Sequence, residues 1–184
     1  MLTLLLGTLT AWVVAPANPL VAPGRSLGNL VLGAPAATLA TLGPAAATDA
    51  AMQKAWATWY GGNARQPTQL DVYTAATGPS MRKTVQAVRA TSAFFHTVGG
   101  LRSGSTLAAI RRACGPLVAA GSYVPAPGRP PHYFYDNVRA GIAFETDGTA
   151  GTSHCTALIV HLPGQPLATG YLPLPAYLTA LPRR

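Results

Sequence analysis

From residue 98 to 117 the chain reads VGGLRSGSTLAAIRRACGPL, and its apolar positions fall on a helical spacing. Leu107, Ile110 and Cys114 recur at i, i+3 and i+7, which is one face of a helix. Gly104-Ser105 ends the preceding loop and offers an N-cap oxygen to the first turn. Arg111 and Arg112 lie in the last turn, where cations complement the helix dipole. Gly115 suits the left-handed position after a helix, and Pro116 blocks continuation. The pattern predicts a helix over 105–114, too short to be stable alone, so its apolar stripe must lean on something. A looser copy, LGNLVLGAPAATLATLGPA, lies 71 positions earlier. Gly33 aligns with Gly104, Gly28 with Gly99, Leu30 with Leu101 and Leu39 with Ile110. One inserted residue then aligns Gly43-Pro44 with Gly115-Pro116. Pro35 suits the first helical position of that copy, because its φ is already fixed there.

Each of these segments is followed by stretches that look like sheet. After the second come SYVPAP, HYFYDN, AGIAFETDG and TALIVHLPG; after the first come KAWATWYG, QLDVYTAAT and KTVQAVRATSAFF. Ile142 and Phe144 alternate with Ala143 and Glu145, so the two pairs belong to opposite faces of a strand. Leu158, Val160 and Leu162 alternate in the same way with Ile159 and His161. The expected fold class is α+β: two tandem units, each a helix plus antiparallel strands, forming one curved sheet with the helices on one side. The expected boundaries are a signal peptide over 1–17, units over 18–97 and 98–163, and a Pro-rich tail over 164–184.

The order G-x-x-x-G-S-x-x-x-x-I-x-x-x-x-G-P, followed by short strands ending in GIAFETDG and TALIVHL, resembles the beta-lactamase inhibitor protein-like repeat. Small accessory lipoproteins of outer-membrane assembly share a similar unit. The junction ATSAFFHTVGGLRSGST looks like the tandem form, and the resemblance runs from about Gly24 to Gly164. It implies one long, curved sheet with helices on its convex side and a concave face that binds a partner. The chain departs from that pattern in having one helix per unit, Ala where Ser is expected in the first copy, and only two cysteines. The family's function is therefore not carried over, and no N-terminal lipid-bearing Cys is present for an assembly lipoprotein.

Composition narrows the setting. Gly and Pro number 19 and 17 of 184 residues, which favours short elements and many turns. Hydrophobic residues make up 49%, enough for a core. The formal charge is +8, because only five acids face 13 bases. Those bases are scattered, so no basic stripe indicates nucleic acid; a polyanion is the second partner class a basic surface suits. The apolar run from Leu2 to Val14 is too short to span a bilayer comfortably and has the length of a signal-peptide core. Ala15-Pro16-Ala17 supplies a small-x-small cleavage pattern, although no basic residue precedes the run. Periplasmic or secreted location follows, with no stable membrane span after cleavage. In such a compartment Cys114 and Cys155 are expected to form a disulfide, closing a loop of about 40 residues for roughly 3–4 kcal/mol; two buried thiols are the alternative.

Candidate chemistry is sparse. Ser103 has the wrong spacing for a G-x-S-x-G elbow, and no H-E-x-x-H or phosphate loop is present. His154 and Cys155 are neighbours on what should be a strand, so they point apart and make a poor dyad. His154 and His161 with Cys114 and Cys155 match no zinc spacing. No catalytic residue, metal or cofactor is assigned. Tyr, Trp and Arg carry interface energy, and Trp59, Tyr73, Arg89, Tyr133, Tyr135 and His161 are the candidates for a recognition face, with a protein as the expected partner. The tail can pack Tyr171, Leu174, Tyr177 and Leu178 on the body or serve as a Pro-rich ligand. The leading expectation is an exported, non-enzymatic binding module using a concave sheet face. Its rivals are a small hydrolase or ligand-processing enzyme of the envelope, and a structural envelope component.

Overall fold

A computed structural model describes residues 18–77, 79 and 81–182. The expected signal peptide lies outside the described residues. Three short strands come first: β1 (Leu20–Ala22), β2 (Ser26–Leu27) and β3 (Leu30–Val31). A 3-10 helix (Ala36–Leu42) leads into β4 (Ala47–Ala51), β5 (Lys54–Asn63), β6 (Gln66–Ala76) and β7 (Lys83–Ala90). After β8 (His96–Thr97), helix α1 (Leu107–Cys114) leads into β9 (Val118–Tyr123), β10 (His132–Asn137), β11 (Ile142–Thr146) and β12 (Cys155–His161). Two short helices, α2 (Leu167–Gly170) and α3 (Leu174–Ala180), form the tail.

The described chain is thus mostly sheet with few helices, more sheet-rich than helix-plus-strand units suggest. One sheet has eight antiparallel strands in the order β4-β5-β6-β7-β12-β11-β10-β9; a small one has the order β3-β2-β1-β8, with β1 and β8 parallel. The small sheet escapes a period-two reading because its strands have two or three residues each. It is fastened where Gly24 donates its N–H to Gly141 O at 3.0 Å. A Cβ on Gly141 would lie 2.4 Å from His161 O and 2.7 Å from the Gly24 Cα, and its φ is +70°. Only glycine meets both conditions.

The helix at 107–114 forms as its apolar spacing predicts, with Leu107 and Ile110 fully buried. Its cap is Thr106, whose Oγ1 accepts from Ala109 N at 3.2 Å; Ser105 Oγ instead accepts from Arg102 N in the loop. The first copy is wound as a 3-10 helix, and Pro35 stands just before it. Gly43 and Gly115 end the two segments with φ of +76° and +71°, as the C-terminal glycines require.

Both faces of the large sheet are covered. On the helix side Val72, Val85, Val88, Phe144, Leu158 and Val160 pack with Leu39 and Ile110. On the other side Trp56, Tyr73, Ala75, Ala87, Phe134, Ala143 and Ile159 pack with Leu167, Tyr171, Leu174, Tyr177 and Leu178 of the tail. The tail therefore packs on the body through the four residues expected to do so, and it adds α2 and α3 to the face expected to carry no helix. Ala75, Ala87 and Ala143 in this cluster are small side chains that leave room for the tail's two tyrosines and three leucines. Gln69 on β6 and Tyr123 on β9 line a common cavity although they stand five strands apart. A flat sheet would separate them by about 24 Å, so the sheet bends around the tail-side face. Bulges at Tyr73/Thr74, Phe134/Tyr135 and Glu145/Thr146 add the local twist this needs.

Cys114 and Cys155 are free thiols, so the expected disulfide is not formed. Thr106 bridges His154 at the start of α1, next to Cys155. The eight residues of α1 then carry Cys114 about 12 Å along the axis at ~1.5 Å per residue. Cys155 instead turns its Sγ to Ala157 O at 3.2 Å, and burial pushes its thiol up to about 12.

Candidate functional site

The tail-side face carries a buried polar cluster at its centre. Asp71 and Arg89 are register partners on β6 and β7, and Asp71 Oδ2 meets Arg89 Nη1 at 2.7 Å. The guanidinium then reaches across β12 to β11, where Nε and Nη2 both donate to Glu145 Oε2 at 2.7 Å. Ala157 is the β12 partner of Glu145, and its small side chain leaves the guanidinium room to cross. The bulge beside it leaves Thr156 without a register partner on β11, and Thr156 Oγ1 donates to Glu145 Oε1 at 2.8 Å. Tyr123 OH donates to the same oxygen at 3.0 Å. His132 Nδ1 lies 2.6 Å from it and is its third donor, since an ionised carboxylate only accepts. Asp71 is equally well supplied: Gln69 Nε2 and Thr58 Oγ1 donate to Oδ1, and Tyr177 OH of the tail donates in turn to Thr58 at 2.6 Å.

The electrostatics follow from this arrangement. Burial alone would push the Glu145 carboxyl up, but the Arg89 guanidinium and the His132 hydrogen bond outweigh it and hold the group down to about 2. Burial disfavours the charged form of Arg89, and the two carboxylates more than reverse that, so its cation is locked. Burial, opposed by Arg89 and reinforced by Glu145, raises Tyr123. Burial likewise raises Tyr177, to about 12. Arg89 is held as a cation and Glu145 as a carboxylate at neutral pH. The cluster ties β6, β7, β9 and β11 to one another and, through Thr58 and Tyr177, to the tail.

A second pair lies on the same face. His161 Nε2 meets Asp136 Oδ1 at 2.9 Å, and the other carboxylate oxygen accepts from Leu167 N at 2.9 Å, at the start of α2. Tyr171 OH accepts from Leu162 N at 3.2 Å, and Trp56 Nε1 donates to Leu172 O at 3.2 Å. The tail is thus anchored by side chains along its whole length.

The six residues expected to form a recognition face do not share one. Tyr73, Arg89 and His161 are on the tail-side face but fully covered. Trp59 belongs to the opposite parity from Trp56 and Thr58; it packs on the helix side and donates Nε1 to Gly43 O at 3.0 Å. Tyr133 and Tyr135 flank Phe134, which faces the tail, so both turn the other way. Tyr135 lies under the Arg111 guanidinium of α1, 5.3 Å from the ring centroid. Sequence reasoning missed Asp71, Glu145, Tyr123, His132, Thr58 and Tyr177. It used the five acids only in the charge balance; the available signal was that Asp71 and Glu145 share strand parity with inward Tyr73 and Ala143.

A cavity of about 350 Å³ opens on this face next to the cluster. Tyr60, Gln69, Thr91 and Tyr123 come from the sheet, while Leu178 and Leu181 come from the tail. Among the described residues no group of three or more His, Cys, Asp or Glu could hold a metal ion, and no helix is long and apolar enough to cross a membrane.

No family model matches the chain, and no curated protein matches it. A crystal structure of the uncharacterized protein yfeY from Escherichia coli matches 76% of this chain and 97% of that chain, at 9% sequence identity and a TM-score of 0.39.

Proposed function

We propose that this chain is an exported, non-enzymatic binding module built from two tandem units, with its recognition surface at the open end of the tail-side face. The order of elements supports the duplication: a short helical segment precedes four antiparallel strands twice, and the last strand of each set meets the other as β7 against β12. Leu39 and Ile110, aligned in the two copies, occupy the same core. The sequence resemblance to the beta-lactamase inhibitor protein-like repeat, in which a concave face binds the partner, is the second support for this reading. Export rests on the apolar run and the Ala15-Pro16-Ala17 pattern.

The observation that carries the reading is the cavity walled by Tyr60 and Tyr123. Two tyrosines and two leucines around backbone and amide hydrogen-bonding groups make an interface-like composition. The locked charges beneath it favour a rigid platform over a reaction centre. A photo-crosslinking residue placed at Thr68 or Pro125, on the cavity wall, should give a discrete protein adduct in the envelope fraction. The same residue at Asp49 on edge strand β4 should not. Equal labelling from all three positions, or none from the wall, overturns the assignment.

A further inference from the structure

On the helix side of the sheet two adjoining cavities, of about 220 and 370 Å³, form one groove. The first lies along the β5–β6 hairpin, with Trp59, Thr68, Ser92 and Phe95 in its wall. The second is lined by Asn29 in the β2–β3 turn and by Thr38, Thr41 and Leu42 of the 3-10 helix. Leu70 and Phe95 line both cavities and stand between them. The groove shares Tyr60, Thr68 and Gln69 with the tail-side recognition cavity, and everything else in its wall is separate from it. No residue lining either compartment is charged, in a chain whose net charge is +8.

The rings in this wall are held in place. Trp59 donates Nε1 to Gly43 O at 3.0 Å. Phe94 packs edge-on against Phe95 at 5.3 Å, and a Cβ on Gly28 would lie 2.9 Å from the Phe95 ring. Both Trp59 and Phe95 are half-buried, so each keeps an accessible part. Hydrogen-bonding groups stand among the rings. Among the described residues the side chains of Asn29 and Thr68 make no hydrogen bond. Ser92 Oγ accepts from Phe94 N and has its own proton left to donate. Thr38 and Thr41 donate to Pro35 O and Thr38 O, which leaves their oxygens able to accept. A nucleic acid or acidic polymer would find no counter-charge here. An aliphatic chain would strip water from these polar side chains and return no hydrogen bond. A sugar chain meets both demands, because its C–H faces lie on rings while its hydroxyls donate and accept around them. We propose that this groove binds a neutral oligosaccharide, with one sugar ring against Trp59 and Phe95 and another over Asn29, Thr38 and Thr41. Two compartments divided by one wall suit linked rings better than one compact solute.

The probes are cellohexaose, maltohexaose, mannohexaose and chitohexaose, titrated by calorimetry into the full chain. Sodium chloride at about 1 M screens contacts between exposed charges. At least one hexasaccharide should bind under that condition, and its disaccharide should bind about tenfold more weakly, because it fills one compartment. Phe95→Leu keeps apolar volume and removes the ring face, so it should weaken binding about tenfold. Asn29→Ala, at an exposed position with no partner to lose, should weaken it about fivefold and leave the thermal transition by circular dichroism unchanged. If Phe95→Leu melts early, the Asn29→Ala result decides alone. Binding by none of the four sugars overturns the proposal, as does a disaccharide that binds as tightly as the hexasaccharide or an affinity that Asn29→Ala leaves unchanged. Binding of heparin alone, lost in the same salt, would assign the affinity to scattered surface arginines and also overturns it. So does uptake of an uncharged Gly-Pro-Gln peptide in place of the sugars.

Discussion

On the helix side of the eight-stranded sheet, Val72, Val88, Leu158 and Val160 meet Leu39 and Ile110 through apolar contact alone. On the tail side the same strands place Asp71, Arg89 and Glu145 beneath a cover of tyrosines and leucines. The first face gains stability from area removed from water and tolerates changes that conserve volume. The second gains direction: its carboxylates and guanidinium are held by several hydrogen bonds each, and removing one partner leaves a charge buried without compensation. The tail makes no strand pairing with the sheet, so its hydrogen bonds with the Thr58, Trp56 and Asp136 side chains, and from Tyr171 OH to the Gln86 carbonyl, determine where it lies. A hydrophobic cover alone would slide; the polar cluster fixes its position.

The largest expected effect comes from removing the shared cation. Arg89→Leu leaves two carboxylates buried with no counter-charge and should destabilise by about 3–5 kcal/mol at neutral pH. Leu158→Ala on the helix side should cost a similar amount, about 2–5 kcal/mol, through the cavity it creates. Chemical denaturation across pH separates the two. In Arg89→Leu the carboxylates are raised by burial, so they bind protons more readily folded than unfolded and stability recovers as pH falls. The Leu158→Ala deficit should stay constant over the same range. Parallel pH profiles for the two variants would show that the cluster is not electrostatically organised.

The unmodified chain should respond to acid in the opposite sense. Glu145 is held at about 2 when folded, below its ordinary value of 4.5. A depressed carboxylate stabilises the fold above the unfolded value, and that contribution disappears as pH falls from about 4.5 towards 2. The difference corresponds to on the order of 3 kcal/mol. Glu145→Gln should be less stable than the parent at pH 7, and its stability should vary less between pH 5 and pH 2. An unchanged acid transition in the variant would assign the loss to other groups.

How far the sequence foretold these faces depends on which signal each one uses. The helix face was legible because Leu107, Ile110, Leu158, Val160, Ile142 and Phe144 announce it by spacing, and six of the seven longer strands after β4 fall on stretches read as sheet; SYVPAP meets β9 only at Ser122 and Tyr123. The tail face was not. Its bend goes with bulges, which carry no periodic signal, and its cluster joins residues 71, 89 and 145, whose proximity exists only once register is set. Aromatic residues were chosen as a surface by type, yet parity divided them between two interiors. Trp59 and Tyr135 went under the helices, and Tyr73 went under the tail.

The smallest effect tests the helix face at its edge. Two hydroxyls, Ser105 and Thr106, are adjacent at the start of α1, and sequence favours the serine that follows Gly104 as the cap. In the structure Thr106 Oγ1 accepts from Ala109 N at 3.2 Å, inside the first turn, whereas Ser105 Oγ accepts from Arg102 N in the loop. Only the first satisfies a helix donor that would otherwise lack a partner. Thr106→Ala should therefore cost about 1 kcal/mol, the usual worth of an N-cap, and Ser105→Ala a smaller amount. Because α1 leans on the apolar face, neither loss should depend on pH between 4 and 8, unlike any change made at the cluster. If Ser105→Ala proves the costlier of the two in urea denaturation, the helix begins one residue earlier, as its sequence suggested.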